Sequence, residues 1–240
     1  MNSLPAPDLF EPLDDQPAYR QIANVIEERI VARVLRTGDP LPSETDLARQ
    51  FGVNRSTIRE AIRELETHGL LGRVRGAKRL RVTRPEPGEV SSGVSRALAL
   101  HDVTYLELWE AMMAIEPAAA QYAASRRTPA QLQSLARACG RFEAAAATAD
   151  AVGAVVDFFT VVAAASGNQV LALSQAPLNL LLAPTLTRII DRVPQAPERI
   201  REAQSRITNA IKQKRSEIAR TWMEKHIRDF KRGYELAFPG

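Results

Sequence analysis

Sulfur, histidine and aromatic rings are scarce in this sequence. The one cysteine, Cys139, rules out an intramolecular disulfide and any cysteine-based zinc cluster. It stands in an Ala-rich helical stretch and reads as a small core residue. The three histidines, His68, His101 and His226, lie in unrelated contexts. No Ser/His/Asp grouping, Cys/His pair, phosphate loop or carboxylate–His metal set accompanies them, so an enzyme is not expected and no cofactor is implied. Aromatic residues make up 5% of the chain. No stretch of about 20 apolar residues runs without a charge or helix breaker, so no membrane span is expected. The opening MNSLPAPDLFEPLDDQPA is Pro-rich and acidic and lacks the basic start and apolar run of a signal peptide, which makes the cytoplasm the expected compartment.

What is present is length, helix-forming composition and an uneven charge. The 240 residues, 45% of them apolar, suffice for two domains, each with its own core. The net charge is only +4, yet Arg49 to Arg84 carries ten Arg and Lys against three acids. From Glu86 onward the balance is 18 basic to 16 acidic. A local basic field of this kind suits a polyanion, although alone it also describes a solvated face.

Hydrophobic spacing divides the chain. Residues 1–17 read as a flexible tail. Tyr19 to Leu35 is an amphipathic helix through Ile22, Val25, Ile26, Ile30 and Val34, and TGDPLP after it is a turn. Ser43 reads as an N-cap with Asp46 as its partner, opening a short helix from Thr45 to Phe51 that Gly52 breaks. Asn54 caps the next helix, which runs to about His68 and stops at Gly69. Ile58, Ala61, Ile62 and Leu65 form its apolar face, and Arg55, Arg59 and Arg63 line the other. Leu71, Val74, Leu80 and Val82 fit two short strands around Gly76-Ala77. The first domain is therefore placed at 18–84, a linker at 85–95 and a second domain at 96–240.

The second domain contains no convincing strand. Thr104 and Glu107 open a helix through Ala124 that Pro117 should kink, and Thr128-Pro129 starts another. Further helices are expected near 130–148, 151–165, 177–192, 198–213 and 217–236, with breaks at Ser166-Gly167-Asn168 and Val193-Pro194-Gln195. The expected fold is mainly α: a helix–helix–turn–helix–hairpin unit, then an all-α bundle of six or seven helices.

The stretch LPSETDLARQFGVNRSTIREAIRELETHGLLGRVRGAKR resembles the winged helix-turn-helix of the GntR family of bacterial transcription regulators. The likeness covers about 65 residues, from Tyr19 to Val82, and includes the L-P-S-E, G-V-x-R-x-T-[IV]-R-E-A and L-x-x-x-G-L elements. It implies that Arg55, Ser56, Thr57 and Arg59 sit on the first turn of the helix that enters the major groove. Ser43 and Thr45 flank it, and the wing tip Arg75-Gly76 with Lys78 reaches the minor groove. The family usually has Arg where Thr45 stands, which predicts one phosphate contact fewer, with Lys78, Arg79 and Arg81 on the wing as compensation. Arg63 is as well explained by pairing with Glu60, Glu64 or Glu66, and Arg73 and Arg81 by coating the hairpin.

The opening PAYRQIANVI resembles the HutC-like branch, but the helical remainder argues against it. ELWEAMMAIEPAAAQYAA and SGN at 166–168 resemble the FadR-like branch with its FCD domain. Many FCD domains hold a divalent metal with one Asp and three His. Those positions fall here on Val155, Phe159, Gln204 and His226, so no metal is expected. The arginine such domains use for an effector carboxylate falls on Met112. Met112, Val155, Phe159, Gln204 and His226, with Asn209 as a further polar candidate, make an apolar pocket suited to an acyl or aromatic carboxylate effector. The implied protein is a homodimer, a repressor of double-stranded operator DNA tuned by a small organic effector. A DNA-binding regulator without ligand response is the alternative.

Overall fold

The computed structural model describes residues 17–73, 79–84, 94, 97–98 and 100–239. The expected tail, most of the linker and the wing tip (Val74, Arg75, Gly76, Ala77 and Lys78) lie outside them. The chain divides into two compact units, Met1–Glu89 and Val90–Gly240.

In the first unit, α1 (Ala18–Val31), α2 (Glu44–Phe51) and α3 (Arg55–Thr67) precede a two-stranded hairpin of β1 (Leu71–Gly72) and β2 (Arg81–Val82). The hairpin is antiparallel, with Leu71 opposite Val82. α1 ends four residues before the expected Leu35, because Arg33 takes a left-handed φ of 58° and Val34 turns out to solvent. The 37–42 turn also does more than its residues announced. The Gly38 N–H donates to the Val82 carbonyl at 2.8 Å and Leu41 N–H to Leu80 at 2.9 Å, so this segment lies along β2. Ile22, Ile26, Leu47, Ile58, Leu65 and Leu71 are among the side chains of the buried core beneath.

The second unit is a bundle of six described helices: α4 (Tyr105–Arg126), α5 (Pro129–Ala144), α6 (Thr148–Ala165), α7 (Gln169–Arg192), α8 (Ala196–Lys212) and α9 (Ser216–Ala237). Both expected capping boxes are present, Thr104 with Glu107 and Thr128 with Gln131. α4 runs unbroken through Pro117. α7 begins eight residues before Pro177 and contains that proline and Pro184. Its start is fixed by Asn168, whose Oδ1 accepts the Val170 N–H at 3.0 Å. Burial of Pro177, Leu178, Leu182 and Leu186 then outweighs the lost backbone donors.

α4 and α9 pack antiparallel. Tyr105 stacks on Tyr234 at 4.1 Å, Trp109 Nε1 donates to the Ile227 carbonyl at 3.0 Å, and Gln121 meets Glu217 at 2.6 Å. α6 and α7 are each long and apolar enough to cross a membrane, with mean hydropathies of 1.6 and 1.3. In α6 that composition supplies the core, where Phe158, Phe159 and Val162 are fully buried.

One ionisable group is buried deep in this bundle. The Glu116 carboxyl, on α4, is wholly enclosed, with the Gln175 side chain as its polar neighbour and no well-formed hydrogen bond to either oxygen. Burial pushes its pKa up to about 8, an effect that the Gln175 side chain only partly offsets. A raised carboxyl pKa means that the folded state holds a proton the unfolded chain releases. Its stabilising contribution is full below the unfolded value of 4.5 and is lost as pH rises to about 8. Glu116→Gln therefore gains on the wild type by about 1.4 kcal/mol for each pH unit across that window. Urea unfolding of both proteins between pH 5 and pH 8 checks it; a constant difference refutes it.

Candidate nucleic-acid interface and effector site

The helix-turn-helix is held by side chains of its own sequence. Ser43 Oγ accepts the Asp46 N–H at 3.1 Å and donates to Asp46 Oδ2 at 2.6 Å. Gly52, at φ 67°, makes the left-handed turn between α2 and α3. Asn54 Oδ1 accepts the Thr57 N–H at 2.9 Å and the hydroxyls of Ser56 and Thr57 at 2.6 and 2.8 Å. The two hydroxyls are thus turned back onto the cap.

The buried face of α3, Ile58, Ala61, Ile62 and Leu65, fixes which way its other face looks. Arg55 and Arg59 stand one turn apart on that outer face, with side chains 59% and 54% exposed. Both reach the same oxygen. Arg59 Nε lies 3.1 Å and Arg55 Nη2 3.4 Å from Glu44 Oε2, at the start of α2. The Arg59 hydrogen bond, aided by the Arg59 charge and by the hydrogen bond and charge of Arg55, holds the Glu44 carboxyl below its ordinary range against its desolvation. Glu44 was not among the expected site residues. Its signal was an acid opening α2, on the side from which α3's arginines emerge.

Thr45 is exposed beside Glu44, and Ser43 is half-buried. Arg63 is exposed and forms no ion pair among the described residues, so the expected pairing with Glu60, Glu64 or Glu66 is absent. Arg81 is half-buried and donates to the Gly38 carbonyl at 2.6 Å, which makes it a strut of the hairpin. Arg73 and Arg79 are exposed.

In the second unit Met112, Val155, Phe159, Gln204 and His226 are all fully buried in the bundle. The His226 ring stacks on Phe159 at 5.7 Å and lies 4.5 Å from Phe230. Burial lowers the His226 pKa to about 3, so the ring is neutral. These residues do not fit a divalent metal: two hydrocarbon side chains, one carboxamide and one imidazole replace the Asp and three His of such a site. Asn209 is exposed, accepts from Gln213 at 3.2 Å and lines an open surface groove with Cys139 and Thr208, apart from the buried group. Cys139 is half-buried, with its sulfur 3.5 Å from Thr208 Oγ1. A cavity that reaches His226 holds about 20 Å³, room for one water, between Ile189, Ile200 and Phe230.

Comparison with known proteins agrees with both halves. The family described as bacterial regulatory proteins, gntR family, matches residues 18–78, and the FCD domain matches residues 107–229. The Glc operon transcriptional activator of Escherichia coli (strain K12) is 26% identical over 226 residues, 90% of this chain and 89% of that one. The HTH-type transcriptional repressor NanR of Escherichia coli (strain K12 / DH10B) is 30% identical over 184 residues, 73% of this chain and 69% of that one. A solved structure titled Streptococcus agalactiae GntR superposes with a TM-score of 0.61 at 27% identity, covering 89% of this chain and 99% of that one. The chain belongs to the GntR family, and is a DNA-binding transcription regulator with a helical FCD domain rather than an enzyme.

Proposed function

We propose that this regulator is a cytoplasmic, homodimeric repressor whose hold on its operator is set by a small organic effector in the helical unit. One observation carries the DNA-reading part: Arg55 and Arg59 stand side by side, exposed, on the first two turns of α3. A helix start of this kind fits the major groove, and a guanidinium can bond guanine O6 and N7 together. Phosphates compete for the same guanidinium protons that Glu44 holds in the free protein. Ser56 and Thr57 swing from Asn54 to phosphates, while Ser43 and Thr45 flank the backbone. Arg75, Gly76 and Lys78 enter the adjacent minor groove. Thr45, a neutral residue, leaves one phosphate contact unmade.

The dimer reading rests on α7. Its apolar window has the hydropathy of a membrane span, yet only a third of that window is buried. Val170 is 71% exposed and Leu180 55%. A second copy covering this face in two-fold symmetry makes a dimer, and dimeric helix-turn-helix proteins suit half-sites about 34–36 Å apart. The repressor sign is supported by the NanR relative, itself titled a repressor; the Glc relative, titled an activator, is the less identical of the two.

The effector reading is supported by the burial of Met112, Val155, Phe159, Gln204 and His226 in the helical unit, where His226 stacks on Phe159. Coupling of such a site to DNA affinity is typically about 1–3 kcal/mol. The second reading, a regulator without ligand response, is favoured by how tightly this neighbourhood is packed.

Arg59→Ala, with a duplex selected from a random pool as operator, is expected to cut the operator-to-random affinity ratio by about 10- to 100-fold. Circular dichroism of the variant should stay unchanged. An unaltered ratio refutes base reading by Arg59. Leu180→Glu is expected to shift the sedimenting species from dimer to monomer; a variant that remains dimeric rejects α7 as the interface.

A further inference from the structure

The bundle holds two buried polar side chains with no protein hydrogen-bond partner. Gln204 on α8 and His226 on α9 are each 1% exposed. Gln204 Oε1 and Nε2 and His226 Nε2 are enclosed without a hydrogen-bond partner. Native interiors rarely leave such groups unpaired, because each gave up water for nothing in return. Two contacts between their helices set the register of the pair. Arg199 bonds Asp229 at 3.3 Å, and the Arg206 guanidinium covers the Trp222 ring at 5.4 Å. α8 and α9 are therefore antiparallel, and Gln204 lies opposite the Trp222–His226 stretch. Both side chains are buried, and the His226 ring stacks on Phe159, which shares a core with Met112 and Val155.

The charges around them matter as much. Among the described residues no Lys or Arg is buried, and the only other buried ionisable group is an acid, Glu116, one helical turn beyond Met112. A carboxylate brought here would lose its water and meet no cation. A carboxamide, lactam or lactone would meet what the site offers. Gln204 presents one donor and one acceptor, and a neutral imidazole presents a further polar nitrogen.

We infer that the effector of the helical unit is an uncharged molecule, an apolar body carrying one amide- or ester-like group that bonds Gln204 and His226. This rests on the effector reading above and narrows it: the carboxylate expected from sequence is excluded, and the acyl or aromatic body is kept. The site is closed in the free protein. Met112, with its flexible thioether, and Phe159, across the His226 ring, are the side chains that give way.

Full-length protein at pH 7.5 is tested by thermal shift against two matched pairs, octanamide with octanoate and benzamide with benzoate. The neutral member of at least one pair is expected to raise Tm and to bind more than tenfold tighter than its carboxylate. Equal or tighter binding of the carboxylate overturns the inference and leaves an effector site standing. No shift with any of the four overturns both. Gln204→Leu supplies a readout without ligand. It removes the orphaned amide, so Tm of the free variant is expected to rise while its response to the amides disappears. A fall in Tm would mean that an enclosed water satisfies Gln204 as a structural residue, and would sink the inference. His226→Phe, which keeps the ring stack on Phe159, is expected to weaken amide binding with the fold intact; undiminished binding contradicts the assignment.

Discussion

Two guanidinium groups share one carboxylate oxygen at the edge of the helix-turn-helix, and the first unit is organised around that contact. Glu44 can meet Arg55 and Arg59 only because Gly52 turns the chain between their helices and Asn54 starts α3 at the right residue. Ile58, Ala61, Ile62 and Leu65 then lock the rotation of α3, so that its basic face cannot turn inward. Glu44 keeps the two side chains together without burying them. Exposed ion pairs of this kind add little stability. Their value here is position, since each arginine pays less side-chain entropy when it meets DNA from a restrained start.

The second unit is built on another constraint. An Ala-rich bundle packs its helices closely, and each polar group inside must find a partner or remain orphaned. Asn179 succeeds, with its Nδ2 3.0 Å from Thr160 Oγ1. Glu116, Gln204 and His226 do not. An interior optimised for stability alone would carry hydrocarbon there.

Much of this was legible in the sequence. Ser43, Asn54, Thr104 and Thr128 announced four helix starts, because a cap is a local device of a few residues. The arginine face of α3 followed from helical spacing against its apolar stripe. What could not be read depended on distant pairing or packing. Asp39 and Leu41 lie along β2 through hydrogen bonds to residues some forty positions later. α7 carries two prolines that local rules place at a helix boundary. Glu44 reaches Arg55 and Arg59 across a turn, over separations of 11 and 15 residues. Nothing local marks Glu116, next to Pro117, as a buried acid, and only its enclosure shows it. The proposed pocket positions came from a family likeness; each of those five side chains is buried, whereas Asn209 is at the surface.

The central claim is that α3 reads base edges through its paired arginines, and methylation interference at guanine N7 tests it directly. Methyl groups at half-site guanines should block wild-type binding and have little further effect on a protein lacking the Arg55 and Arg59 guanidiniums. Equal interference for both proteins, or none for the wild type, would contradict the account.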